Sequence, residues 1–176
     1  MRRARTAETL REIANQILEE CEIEEPPVPV DRIARQLGAE LRFSPFDGEL
    51  AGMLVRGTDH DTVIGVNSLH HVNRQRFTIA HECGHLLLHK GDVHIDRSFR
   101  VNRRDAVSSQ AIDPDEIEAN RFAAELLMPY EMITADLVDF DIDIEDEEAL
   151  KELAARYQVS VQAMTHRITN LLKNLF

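Results

Sequence analysis

The sequence predicts an α+β fold: a small antiparallel or mixed sheet combined with helices, then a helical C-terminal extension. Three observations carry this. Leu10, Ile13, Ala14, Ile17 and Leu18 recur at helical spacing near the start of the chain. Residues 41–43, 53–56 and 62–66 are short, apolar and bounded by turn formers, as strands are. Beyond Pro129 only helical patterns remain.

Taken in order, the first helix runs from Thr6 or Ala7 to Glu20, and Pro26, Pro27 and Pro29 stop any continuation. Asp31 can cap a short helix to Leu37, with Gly38 where a left-handed residue is needed. The three strands follow, the last two joined by a hairpin turn over residues 57–61. Asn73 can cap a helix bearing Phe77, Ile79, Ala80, Leu86, Leu87 and Leu88, which is apolar on too many sides to lie at the surface. An edge strand is expected around residues 93–95. Asp113 and Pro114 open a helix that ends at Met128, before Pro129. Three further helices are expected over residues 130–138, 145–157 and 160–175, with a strongly acidic stretch at 139–148.

Composition narrows the function. With 43% hydrophobic residues in 176 the chain can bury a core, and its 20 Lys+Arg against 32 Asp+Glu give a formal charge of −12. That charge repels nucleic-acid phosphates and anionic lipid, so direct nucleic-acid binding is not expected. Cys21 and Cys83 have no metal-ligand spacing and suggest no disulfide framework. Neither a secretory signal nor a membrane-spanning run is visible, and a cytoplasmic location is expected.

The chemistry concentrates in His81-Glu82-Cys83-Gly84-His85. A four-residue helical step rotates by about 40°, so His81 and His85 project from one face and can reach one tetrahedral Zn²⁺. Glu82 then flanks the metal without binding it. A carboxylate there can take a proton from water that zinc has acidified, which is the chemistry of amide hydrolysis. A catalytic zinc needs a third protein ligand. His89 lies about 12 Å along the same helix axis from His81 and cannot close on the same ion; it reads as a supporting or helix-terminal residue. Leu88 stands where a longer histidine motif would need glycine. On the next long helix Glu116 and Asn120 share a face, so one can bind metal while the other orients a histidine. Glu118 points off that face and reads as a solvated charge.

Residues 76–85 (RFTIAHECGH) and 116–129 (EIEANRFAAELLMP), with residues 27–34 (PVPVDRIA), 52–54 and 65–67, resemble the ImmA/IrrE family of metallopeptidases. The resemblance implies a zincin-like domain over residues 1–129, with residues 130–176 a helical extension packed on it. It implies His81, His85 and Glu116 as zinc ligands and Glu82 as the general base. Cys83 takes a variable motif position and reads as core. The resemblance further implies a zinc-dependent endopeptidase acting on a helix-turn-helix repressor encoded nearby. A non-catalytic antirepressor or antitoxin-like protein that keeps the zinc fold is the alternative. The intact Glu82 favours the enzyme. His94 and Tyr130 are the candidates for stabilising the oxyanion. Residues 154–160 followed by Val161, Met164, Ile168 and Leu171 read as helix, turn, helix, as in DNA-binding modules. Only Arg167 and Lys173 are formally positive from Ser160 onward, so packing or substrate docking is the expected role.

Overall fold

The computed structural model describes residues 5–47, 50–57, 61–97, 113–139, 143 and 146–173. Arg2 and Arg3, the hairpin tip at 58–60, half of the acidic stretch at 139–148 and the last residues of the expected final helix lie outside them. Among the described residues seven helices and four strands follow in the order α1 (Ala7–Glu20), α2 (Val30–Gln36), β1 (Ala39–Ser44), β2 (Leu50–Arg56), β3 (Thr62–Asn67), α3 (Val72–Leu88), β4 (Val93–Arg97), α4 (Pro114–Leu127), α5 (Tyr130–Asp139), α6 (Glu147–Tyr157) and α7 (Val161–Lys173). The α+β class is as expected. The sheet is mixed, in the order β1-β3-β2-β4, with β1 parallel to β3 and β2 antiparallel to both β3 and β4. β4 is an edge strand, as its position in the sequence suggested.

Some caps are as read. Thr6 accepts from the Thr9 amide to start α1, and Asp113 accepts from the Asp115 amide to start α4 with Pro114 in its first turn. Gly38 sits at φ +86°, a conformation that a Cβ disfavours. Two caps differ. α2 starts at Val30 with Pro29 as N-cap, so Asp31 lies inside the first turn and pairs with Arg35 at 2.8 Å. The negative charge still meets the positive end of the helix dipole. α3 is capped by His71, whose Nδ1 accepts from the Asn73 amide. The Asn73 side chain donates instead to the Val159 carbonyl at 2.9 Å, because the tail folds back against the start of α3.

α3 runs through the centre of the molecule. Thr78 through His85 are all buried, which accounts for the helix being apolar on several sides. One face meets the sheet. Gly52, Leu54, Ile64, Val66 and His94 occupy that side by strand alternation and register, and Leu54, Ile64 and Val66 are fully buried. The opposite side of the edge strand leaves Val93 and Ile95 about half exposed. The other face of α3 meets α4 through Ala119, Phe122 and Ala123, and α1 covers α4 with Leu10, Ala14 and Ile17. The tail continues the same core, where Leu150, Leu153, Tyr157, Met164, Ile168 and Leu171 join Leu126, Leu127 and Met128. No helix among the described residues is long and apolar enough to cross a membrane.

Candidate metal centre

Each histidine of α3 has its two ring nitrogens committed to different neighbours. His81 Nδ1 lies 2.8 Å from Asn120 Oδ1, which can only accept, so the His81 proton sits on Nδ1 and Nε2 carries a bare lone pair. His85 Nδ1 lies 2.9 Å from His89 Nδ1. The two Nε2 atoms are then left to face each other at 3.0 Å. Glu116 closes the group from α4, its two oxygens 3.4 Å from His81 Nε2 and 3.2 Å from His85 Nε2.

These separations test whether a metal fits. A tetrahedral zinc with bonds of about 2.0–2.1 Å to nitrogen and oxygen has ligand-to-ligand edges of about 3.3 Å. The observed separations of 3.0, 3.4 and 3.2 Å lie near that figure, the two to Glu116 ending on different carboxylate oxygens. Two imidazole nitrogens and a carboxylate are also a normal donor set for zinc. His81, His85 and Glu116 therefore form a group that could hold a metal ion. Both histidines are about 1% exposed, while the Glu116 side chain is 40% exposed, so the site opens to solvent on the α4 side.

Glu82 is fully buried between the two histidines in the chain and faces β2. A Cβ built on Gly52 would stand 3.3 Å from Glu82 Oε1 and 2.3 Å from the Thr78 methyl. Only glycine lets β2 run that close to α3. Cys83 is wholly buried, and burial pushes its thiol up to about 12, so it behaves as core, as read from the sequence.

Among the remaining candidates, His89 caps α3 and supports His85, as its spacing suggested. Asn120 orients His81. Glu118 is a correction. It is 1% exposed and bonded to Arg5 and His89, because α1 packs over that side of α4 and removes the solvent that helical-face reasoning assumed. His94 stacks on His85 with ring centroids 4.4 Å apart and planes at 22°. Burial, then His85 and Arg56, push the His94 imidazole down, so it stays neutral. Tyr130 lies under the Arg11 guanidinium at 4.2 Å, and Arg11 in turn approaches Glu125, more than two turns along α4 from Glu116.

Two contributors escaped sequence reading. Arg56, at the end of β2, donates to the carbonyls of His85 at 2.9 Å, Leu86 at 3.2 Å and His89 at 3.1 Å, and also to Gly91. It satisfies the orphan carbonyls at the end of α3 and sets a cation on the negative end of its dipole. A lone arginine at a strand end carries no sequence signal for this. Gly84 is the second. A Cβ there would meet Ala119 Cα and Phe122 Cδ1 at 3.1 Å, so its absence lets α4 approach and bring Glu116 to the histidines. Gly84→Val should therefore overpack this crossing by about 1–3 kcal/mol and weaken zinc binding. Thermal melts and zinc titration against a chromophoric chelator check this; a variant matching the wild type in both would remove Gly84 from the account.

A family model described as the IrrE N-terminal-like domain of the peptidase M78 group matches residues 34–169. The chain belongs to this family. The match spans the α3 histidines and Glu116 of α4, so the metal-capable cluster lies within the IrrE N-terminal-like region. A solved structure titled a Mycobacterium tuberculosis transcriptional regulator is similar at a TM-score of 0.57 and 14% identity. The similarity covers 92% of this chain and 47% of that one, so this IrrE N-terminal-like chain spans about half the length of that protein. At that identity the likeness concerns the fold alone. No curated protein matches the chain.

Proposed function

We propose that the protein is a zinc-dependent endopeptidase with a zincin-like catalytic unit over residues 1–129 and a helical extension over 130–176. The observation that carries this reading is the convergence of His81, His85 and Glu116 as a group that could hold a metal ion, with Glu82 in the helical turn between the two histidines. His81, His85 and Glu116 would hold the ion. Bound zinc would supply a Lewis acid that polarises the scissile carbonyl and acidifies water. Glu82 takes the proton from the attacking water on a carboxylate oxygen and returns it to the leaving amine. Asn120 and His89 keep the two imidazoles turned so that Nε2 faces inward. His94, neutral and stacked beside His85, lies on the sheet side of the site, where it can hydrogen-bond the developing oxyanion. Among the described residues β4 is an outer strand of the sheet, beside the same histidines, on which an extended peptide can add a strand.

The substrate we propose is a helix-turn-helix repressor encoded nearby, cleaved to relieve repression. The resemblance to ImmA/IrrE enzymes supports it, together with the absence among the described residues of a basic surface on α7, whose Arg167 is buried. Purified protein should hold about one zinc per chain, and Glu116→Ala should lose most of it. The zinc form should cut the neighbouring repressor at one bond, identified by the mass of the fragments, and chelation should stop the cutting. Metal analysis that finds no zinc in the wild type, or cleavage indifferent to chelation, would defeat the proposal.

A further inference from the structure

The zinc reading requires both Nε2 atoms to be bare, and for His85 the described geometry says what makes them so. A neutral imidazole carries one proton, so a bare Nε2 puts the His85 proton on Nδ1, aimed at His89 Nδ1 2.9 Å away. His89 must then accept at Nδ1 and carry its own proton on Nε2. That nitrogen lies 3.3 Å from Glu118 Oε2 and 3.6 Å from Asp115 Oδ1, both acceptors. In the opposite arrangement His89 would donate from Nδ1 and turn a bare Nε2 lone pair toward two carboxylates. His85 would then carry its proton on Nε2, where no metal could bind. The carboxylates of Glu118 and Asp115 beside His89 thus favour the tautomer that leaves His85 able to coordinate, against the pull of Glu116 Oε1 at 3.2 Å from His85 Nε2.

Glu118 is itself held by Arg5. Its Oε1 accepts the Arg5 backbone N–H at 2.7 Å and its Oε2 accepts Arg5 Nη1 at 2.6 Å. A carboxylate only 1% exposed is costly without such partners, and Arg5 supplies a full charge and two donors just ahead of α1. Arg5 lies 113 residues before Glu118 in sequence, so the contact exists only when α1 is docked on α4.

We propose that Arg5, Glu118 and His89 form a positioning relay for His85, which makes metal affinity depend on the docking of the segment that enters α1. The inference rests on the zinc reading above. None of the three residues touches the metal or the substrate. They act by fixing the ring orientation and proton position of a ligand, and loss of such partners lowers metal affinity by about 10–100-fold.

Zinc affinity measured by chelator competition on the full chain tests this, with imidazole ¹⁵N NMR on the metal-free protein. His89→Leu should weaken zinc binding by about 10–100-fold. Arg5→Met should weaken it in the same direction but less, since the backbone N–H of residue 5 remains. The double variant should lose no more than His89→Leu alone, because both act along one path. In the wild type, His85 should be protonated on Nδ1 and His89 on Nε2, and that preference should fade in Glu118→Leu. A purely structural role would lower the melting temperature without moving the tautomers or the zinc constant. His89→Leu with wild-type zinc affinity, alongside His81→Ala that binds none, would overturn the relay and leave the metal site standing. A wild type that binds no zinc would overturn both. Should His89→Leu fail to fold, Arg5→Met at a side chain 31% exposed still decides, and unchanged affinity and tautomers there would reject the relay.

Discussion

Glu82→Gln is expected to abolish repressor cleavage while leaving the fold and the bound zinc in place. The substitution keeps the size of a side chain that is fully buried against β2 at Gly52, so packing between α3 and the sheet should hold. It leaves His81, His85 and Glu116 untouched. What disappears is the group able to accept a proton from water. Removing a positioned general base costs about 10²–10⁴-fold in rate. Single-turnover cleavage of the repressor, with zinc content and circular dichroism measured on the same sample, checks each part. Cutting at the wild-type rate would reject Glu82 as the base. A variant that cuts slowly but has also lost its zinc would show that Glu82 helps to hold the ion.

The second large effect is expected at Arg167. Its guanidinium is 7% exposed and grips Glu125 with two bonds of 2.7 and 2.5 Å, while Nε donates to the Met128 carbonyl at 3.0 Å. The pair joins α7 to α4, the helix that also carries Glu116 and Asn120. Removing one partner of a buried ion pair strands the other, at a cost of about 3–5 kcal/mol. Arg167→Ala should therefore lower the melting temperature by on the order of 10 °C. Replacing both partners, as in Arg167→Met with Glu125→Leu, should recover much of the loss, since an apolar pair carries no desolvation cost. Arg11, 3.6 Å from Glu125 and 27% exposed, can turn to solvent in that variant. A single Arg167→Ala variant that melts within a degree of the wild type would show that the tail is not secured here. Because the side chain is interior, the same substitution is not expected to reveal DNA affinity in a gel-shift titration.

The elements legible in the sequence are those whose cause is local. α1, α4 and the three early strands announce themselves through periodicity, capping residues and punctuating prolines, all acting within a few positions of one another. The pairing of His81 with His85 is likewise a property of one helix. Where reading failed, a distant segment had intervened. Asn73 was expected to cap α3, but the tail takes its side chain and His71 caps in its place. Glu118 was expected in solvent, but α1 covers it. Arg167 carries no local sign of burial, and the partner that buries it is 42 residues away.

The sequence by itself determined the candidate ligand types, their spacing on α3, the candidate base between them and α4 as the expected source of a third ligand. These follow from helical geometry and from the few side chains that bind zinc. Only the tertiary structure decided that Glu116 reaches the histidines, since that depends on a glycine at 84 letting two helices cross within contact of a backbone. Only it decided how each histidine ring is turned, because partners from α4, from the end of α3 and, through Glu118, from Arg5 surround the rings. Ligand identity is a matter of residue chemistry, written one position at a time. Ligand orientation is a matter of what packs around the residue, and it exists only once separate helices have met.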